Sequence, residues 1–545
     1  MRQSDLRKTF AKLDCKMASR FLLLILVAAF LSGCASLPPG SDFPKIASSA
    51  LAQPEETRFG RQFADATREH DGNSGFRMLA VGVDGFLTRV QMVHSAERTL
   101  DLQYFIFRSD ETGKLLANAV LRAADRGVRV RVLIDDGETI AGDEQLAALD
   151  AHPQIEVRVF NPFAYRGHSM FLRALEFSFS GSRLDYRMHN KLMVVDNAIA
   201  LIGGRNIGDQ YFQVDPESQF ADDDVFAAGP IVKELSVTFD EFWNSAMSIP
   251  VRALAKRATS DAALAEYRKV LNEHHAEKKA DGSDYASRVA TGEPLAGMMS
   301  GRLPLVWAHA QLVYDSPDKK RVDKDGMVGR LMHRPVAKAA SEVQSELLMV
   351  TPYLIPGDEG MQLFSDLRKR SVSVRILTSS LESSTVLVAQ SGYMSYRLPL
   401  LEKGVEVYEV RSLLGNTRGS GQTANISRFG NYSLHAKLFV FDRQRLFIGS
   451  MNFDQRSMHL NTEIGLIIDS PELAQQTVRR FEAMVSPPNS YEVRLLPRDG
   501  GSSPRLVWRT EEDGKAIEYD SEHARSNGQR LKVQLLSLLP LDDEL

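Results

Sequence analysis

Two stretches of this chain, 246 residues apart, follow one pattern without a gap. The first reads His189-Asn-Lys191-Leu-Met-Val-Val-Asp196, then Gly203-Gly204-Arg-Asn206. The second reads His435-Ala-Lys437-Leu-Phe-Val-Phe-Asp442, then Gly449-Ser450-Met-Asn452. Their surroundings repeat as well. Residues 346–353 match the strand-like run at 99–107, Val374-Arg-Ile-Leu377 matches Val130-Arg-Val-Leu133, and Val405-Glu-Val407 matches Ile155-Glu-Val157, at offsets of 244 and 250. Self-similarity on that scale limits the architecture to two similar domains in tandem.

Within each copy, strands alternate with helices. Residues 99–107, 128–135 and 155–160 are rich in β-branched and aromatic side chains, and residues 113–125 carry apolar positions at helical spacing (Leu115, Leu116, Ala119, Val120, Ala123). This alternation predicts an α/β sandwich around a mostly parallel sheet. With 43% hydrophobic and 25% charged residues the chain has enough apolar mass for two or three cores. The expected division is a leader at 1–33, a Pro/Ser/Gly-rich tether at 34–66, a first domain at 67–244, a helical and loop connector at 245–303, a second domain at 304–486 and a C-terminal extension at 487–545. Residues 535–541 are too short to cross a bilayer and read as a segment docked on the core.

The leader has a basic start at Arg20, an eleven-residue apolar run at 21–31 (FLLLILVAAFL) and small residues before Cys34. That is the build of a secretory signal, and the run is too short for a spanning helix. Leu31-Ser32-Gly33-Cys34 resembles the lipobox of bacterial lipoproteins, which implies cleavage before Cys34 and acylation of that residue. The other cysteine is Cys15, so no disulfide is expected after cleavage. Residues 1–33 hold six Lys and Arg and two Asp and Glu; without them 60 basic and 68 acidic side chains remain, a formal charge of -8. A protein built to neutralise a polyphosphate backbone carries a basic surplus instead, so nucleic acid is disfavoured as a partner, although Arg411, Arg418 and Arg428 form a local basic group. The run AEKKADGSD and the pair His274-His275 read as solvated surface, because no third ligand has metal-site spacing.

The repeated stretch has its own chemistry. Side-chain alternation places His189, Lys191, Met193 and Val195 on one face of a strand, so imidazole and ammonium project together. Asp196-Asn197 reads as the tight turn of a hairpin returning through residues 198–202, which favours a turn-holding role for Asp196 and Asp442 over substrate contact. Gly204 and Ser450 allow close approach of an anion, Asn206 and Asn452 can donate to it, and Lys191 and Lys437 supply positive charge where a phosphoryl group gains negative charge. Two histidines in pseudo-symmetric domains suit an in-line phosphodiester displacement, which needs a nucleophile on one side and an acid on the other.

This doubled pattern is similar to the HKD signature of the phospholipase D superfamily, present twice as in its two-domain members. The resemblance implies tandem α/β/α sandwiches with the active site at their interface, a phosphohistidine on His189, and His435 as acid and then base. It also implies an acidic residue on the strand after each signature to orient the histidines. Asp222 and Glu463 match that position, and Asp223 and Asp224 leave the first assignment open by one residue. No metal or cofactor is implied. The runs LDLQYFIF, AADRGVRVRVLIDD, RMHNKLMVVD, LIGGRNIGDQYF, SLHAKLFVFD and FIGSMNFDQRS resemble the bacterial cardiolipin synthase C type. That implies transfer of a phosphatidyl group from phosphatidylethanolamine to phosphatidylglycerol at a membrane surface; release of phosphatidic acid by water is the alternative, and a nuclease the less favoured one. The lipobox implies a periplasm-facing lipoprotein, with inner or outer membrane and oligomeric state open. Residues 163–179, aromatic and basic together, read either as an interfacial wall admitting acyl chains or as a core helix.

Overall fold

The computed structural model describes residues 37–137, 143–167, 169–214, 218–255, 259–280, 292–320, 329–413, 431–497 and 504–538. The leader, Cys34, Arg418 and Arg428 lie outside them. The first sheet has nine strands: β1 (Ser74–Leu79), β2 (Thr99–Tyr104), β3 (Arg129–Asp135), β4 (Ile155–Phe160), β5 (Leu192–Val195), β6 (Ile199–Gly203), β8 (Asp224–Ala228), β9 (Ser248–Pro250) and β10 (Val306–Ala308), in the order β10-β1-β8-β6-β5-β2-β3-β4-β9. A short strand, β7 (Ser218–Ala221), stands apart from it. The second sheet has ten: β11 (Ala310–Tyr314), β12 (Glu346–Val350), β13 (Ser373–Ser379), β14 (Glu406–Val410), β16 (Leu438–Phe441), β17 (Arg445–Gly449), β18 (Ile464–Ile468), β19 (Ser490–Leu496), β20 (Arg505–Glu512) and β21 (Lys515–Tyr519), in the order β11-β18-β17-β16-β12-β13-β14-β19-β20-β21.

The expectation of a mostly parallel sheet is corrected. Only β2-β3-β4 and β12-β13-β14 run parallel, joined by helical crossovers, and the other neighbours in both sheets are antiparallel. The reason lies in the repeated stretch itself. Asp196 and Asn197 both take positive φ (53° and 50°), as do Asp442 and Arg443 (53° and 59°). Such a two-residue turn matches strand twist and forces β5-β6 and β16-β17 into hairpins.

Helices cover both faces of each sheet. In the first half they are α1 (Arg58–Glu69), α2 (Gly82–Ser95), α3 (Glu111–Asp125), α4 (Asp143–Asp150), α5 (Met170–Leu184), α6 (Pro230–Asn244), α7 (Val251–Leu254), α8 (Asp261–Ala280) and α9 (Pro294–Met299). In the second they are α10 (His333–Ser341), α11 (Gly357–Lys369), α12 (Leu387–Glu402), α13 (Gln455–His459), α14 (Pro471–Val485) and α15 (Asn527–Leu536). The outer cores pack α2 and α3 on the first sheet and α10, α11 and α12 on the second. The inner core is shared. Leu192, Val194, Ala200 and Ile202 of the first sheet join Leu438, Val440, Leu446 and Ile448 of the second through Phe239, Phe242 and Trp243 of α6 and Val478 and Phe481 of α14. The layers therefore run helix, sheet, helix pair, sheet, helix, and the middle layer belongs to both domains.

Several expected boundaries move. The tether ends early, because α1 buries Phe59 and Phe63 against the first domain and Lys45 Nζ donates to the carbonyls of Ser245 and Ser248 at 2.5 and 3.0 Å. The connector is structural: α8 packs on α3 and α9 on α2, so its helical part completes the first domain. Part of its charge run, at residues 281–284, lies outside the described residues. The domain border falls at His309, the single residue between β10 of one sheet and β11 of the other. The C-terminal extension supplies β19, β20 and β21 to the second sheet. Its last helix packs on α12, yet only Val533 is buried while Leu531, Leu535 and Leu538 face outward, which corrects the expected docking of residues 535–538 on the core. Among the described residues no helix is long and apolar enough to cross a membrane.

Candidate active site

The two histidines stand at the start of matched hairpins, beside the C-terminal ends of the parallel strands. β5 pairs with β2 so that Leu192 lies opposite Gln103, which places the preceding residues, His189 to Lys191, at the open end of β2. Two parallel pairings between the domains then bring in the acids. β7 pairs with β15 (Asn431–Leu434) across the interface, and each strand leads directly into a functional residue, Asp222 on one side and His435 on the other. The backbone N–H groups of His435 and Ala436 both reach the Ala221 carbonyl, at 2.8 and 2.9 Å. On the opposite side Met188 bridges Thr462, and His189 N–H donates to the Thr462 carbonyl at 2.9 Å, which sets Glu463 beside His189.

The pairing is crossed. His435 Nδ1 lies 2.6 Å from Asp222 Oδ2, and His189 Nδ1 lies 2.9 and 3.0 Å from the two Glu463 oxygens. Each carboxylate comes from the domain that does not supply the histidine. With Nδ1 engaged, Nε2 is the ring nitrogen available for phosphorus. The assignment left open between Asp222, Asp223 and Asp224 is resolved by contact: Asp223 pairs with Arg480, and Asp224 with Arg89 and Arg205.

Aromatic walls fix the rings. Phe220 stacks on His435 at 5.3 Å and Tyr211 meets it edge-on at 5.2 Å, while Phe105 meets His189 edge-on at 5.0 Å. Lys191 Nζ donates to the His189 carbonyl at 2.6 Å and Lys437 Nζ to that of His435, so both ammonium groups are held within the interface.

Burial sets the electrostatics. It drives His189 well below its usual range, helped by Lys191, Lys437 and Arg456, and lowers His435 to about 3 with the help of Lys437 and against Asp222. Burial also lowers Lys191 well below the ammonium range and Lys437 to about 8. The acids differ. Burial pushes Glu463 up to about 7, only partly offset by Lys191. Burial also acts to raise Asp222, but His435, Lys437 and Arg205 outweigh it and hold the carboxyl below its ordinary range.

Three of the four residues expected at the phosphate have other work. A Cβ on Gly204 would lie 2.1 Å from Asp222 Oδ1, so the glycine makes room for the carboxylate rather than for an anion. Ser450, its counterpart, donates its hydroxyl to Glu463 and accepts Ile464 N–H at 3.0 Å. Asn206 accepts Ile106 N–H at 3.1 Å and donates to the Tyr211 hydroxyl at 2.9 Å, which steadies the ring against His435. Asn452 differs: its buried amide oxygen has no partner among the described residues. Asp196 and Asp442 sit at the far end of their strands from the histidines. Asp196 accepts the N–H groups of Glu97, Arg98 and Thr99 at 2.8–2.9 Å, and Asp442 those of Gln344, Ser345 and Glu346 at 2.7–3.1 Å. Both are turn anchors, the role that the hairpin reading favours for them.

The sequence reading did not single out Tyr211, Phe220 or Phe105, nor Asp135, whose Oδ2 accepts Met188 N–H at 2.8 Å while Oδ1 pairs with Arg187 at 3.2 Å. Asp135 carried a signal, a charge closing the apolar run of β3; the aromatics carried none, because their contact with the histidines is long-range. Among the described residues no group of three or more His, Cys, Asp or Glu could hold a metal ion.

Comparison with known proteins gives the family. The family model described as cardiolipin synthase, PLD-like domain, matches residues 90–243 and 336–485. The chain is 35% identical over 487 residues to cardiolipin synthase C of Escherichia coli K12, covering 87% of this chain and 97% of that one. It is 29% identical over 526 residues to an uncharacterised protein of Helicobacter pylori strain 26695, covering 96% and 99%. A crystal structure of phosphatidylserine synthase from Haemophilus influenzae has the same fold, with a TM-score of 0.52 at 12% identity over 89% of this chain and 100% of that one. The chain belongs to the phospholipase D superfamily and, within it, to the cardiolipin synthase family of phosphatidyltransferase-type enzymes.

Proposed function

We propose that the protein makes cardiolipin by moving a phosphatidyl group from phosphatidylethanolamine to the free hydroxyl of phosphatidylglycerol, through a phosphohistidine on His189. The observation that carries this is the crossed pairing of two histidines with two carboxylates that are electrostatically unlike. Asp222 stays anionic and opposes the burial that lowers His435 to about 3, and by engaging Nδ1 it leaves His435 Nε2 to pass the proton as acid and then base. Glu463, pushed up to about 7, places less negative charge beside His189 and leaves its imidazole neutral for attack.

In the first step His189 Nε2 attacks phosphorus and the P–O bond to ethanolamine breaks, while His435 gives its proton to the departing oxygen. In the second, His435 takes the proton of the phosphatidylglycerol hydroxyl as that oxygen attacks phosphorus and the P–N bond to His189 breaks, which regenerates His189 and yields cardiolipin. Lys191 and Lys437 stabilise charge on the phosphoryl oxygens in both transition states. The Asn452 amide would donate to them through its nitrogen; its oxygen is the atom without a partner among the described residues. Attachment through an acylated Cys34, facing the periplasm, would keep the site at its lipid.

The test is mass spectrometry of products from phosphatidylglycerol with and without phosphatidylethanolamine, using wild type, His189→Ala and His435→Ala. Cardiolipin from wild type alone, dependent on phosphatidylethanolamine, is expected. Phosphatidic acid as the sole product would make the enzyme a hydrolase, and absence of lipid turnover would return attention to other phosphodiesters. Trapped phosphoenzyme on His435 instead of His189 would reverse the roles.

A further inference from the structure

Helix α5 is amphipathic the wrong way round for a protein core. Its polar side chains turn inward: Glu176 accepts the N–H groups of Ala164 and Tyr165 at 2.7 and 2.8 Å, Arg183 donates to Asn161 Oδ1 at 2.6 Å, and Arg173 lies over the Phe163 ring at 4.6 Å. Its apolar side chains turn outward, with Phe171 74% exposed and Leu172, Leu175 and Phe177 at 40% or more. A helix tied down by hydrogen bonds and ion pairs while its aromatic and aliphatic face stays uncovered is built to meet an apolar phase.

Its position names that phase. The helix springs from the end of β4, where Asn161 Nδ2 donates to the carbonyls of Arg183 and Tyr186 at 2.8 and 2.7 Å and Asn161 N–H donates to Met247. Lys45 reaches the same edge, through the carbonyls of Ser245 and Ser248. The described chain begins at Leu37, three residues after Cys34, so an acyl anchor there lies within about 10 Å of Leu37 along even a fully extended chain. The N-terminal segment at Lys45 and α5 thus meet the same border of the first domain. On the second domain the end of the parallel strands is apolar too. The start of α15 is held there by Gln529 Nε2 on the Leu381 carbonyl at 2.8 Å, and Leu531 and Leu535 are exposed at 58% and 57%.

We propose that α5 inserts its Phe171-Leu175 face into the leaflet that holds the Cys34 anchor, seating the cleft of His189 and His435 against the bilayer so that lipids enter sideways. This rests on the reading of the substrate as membrane phospholipid, but not on which lipid is donor or acceptor.

Two measurements on the full chain test it. Leu175→Trp, added to the native tryptophans, reports contact with vesicles of phosphatidylglycerol and phosphatidylethanolamine whose acyl chains are brominated. Its extra fluorescence is expected to fall at least about twofold, in the wild-type and His189→Ala backgrounds alike. Quenching no greater than that of the native tryptophans alone would overturn the proposal, whatever the turnover result. Separately, Phe171→Ser/Leu175→Ser is expected to lose about tenfold or more in turnover on vesicles while keeping its rate on short-chain lipid in detergent. Equal rates on both, or a change in oligomeric mass in place of vesicle activity, would assign the face to something other than a leaflet.

Discussion

Replacement of Gly204 by alanine isolates the orienting carboxylate without touching a histidine. Its backbone is outside the left-handed region, so alanine adds no dihedral strain there. The added methyl would lie 2.1 Å from Asp222 Oδ1 and 2.8 Å from its carboxyl carbon and other oxygen. Restoring an ordinary contact means that the carboxylate retreats by roughly 1 Å, and a displacement of that size at a catalytic group costs about 100-fold in rate. The bond it lengthens is the 2.6 Å contact with His435 Nδ1. Overpacking at a buried site costs about 1–3 kcal/mol in stability, so the fold survives. The assay is kcat for cardiolipin formation by mass spectrometry, with folded fraction set by circular dichroism. If glycine acts through Asp222, Gly204→Ala and Asp222→Asn together lose no more than the worse of the two. A kcat within threefold of wild type, or losses that simply multiply, would refute the reasoning.

Three further outcomes follow from the geometry. Glu463 is raised to about 7; below that pH it holds a proton and accepts weakly from His189, so kcat/KM should rise with pH through about 7, and Glu463→Gln should remove that limb while lowering the plateau about 10- to 100-fold. Persistence of the limb in the variant would assign it to another group. Asp196→Ala strands three backbone N–H groups and should lower unfolding free energy in urea by about 2–4 kcal/mol with kcat per folded molecule within about twofold; a large loss of kcat at unchanged stability would put Asp196 back in the chemistry. Asn452→Ala removes an amide whose buried oxygen has no partner among the described residues and should cost about tenfold or more in kcat with little change in thermal midpoint, whereas Asn206→Ala should lower both because it releases Tyr211. Matching effects of the two substitutions would show that the repeat's asparagines share one role.

The duplication, the hairpin turns and the histidine and lysine positions were legible because they depend on local spacing. The two-residue turn at Asp196-Asn197 is a case where composition and backbone agree. Asp222 and Glu463 were legible as the orienting acids through the resemblance; which histidine each one serves was not. The crossing of Asp222 to His435 and Glu463 to His189 depends on β7 meeting β15 and on Met188 meeting Thr462, contacts separated by more than 200 residues. Gly204 and Ser450 occupy matched positions, and nothing local says that one clears space for an aspartate while the other donates to a longer glutamate. The sheet was expected to be mostly parallel because the crossovers are conspicuous in a sequence and the antiparallel hairpins beside them are short. Residues 535–538 looked like core because a leucine run carries no mark of the face it turns outward.

The border between the domains is one residue long. His309 joins strands of two different sheets, and the helices beneath it are shared by both. Opening such a pair like a jaw would tear a common core and break β7 from β15, so the cleft keeps its width through a catalytic cycle. A slot of constant gauge selects molecules by cross-section. On the proposed reading, the first headgroup leaves before a second lipid presents its hydroxyl to the same phosphorus. On that reading the shared core fixes the slot in which both lipids are handled in turn.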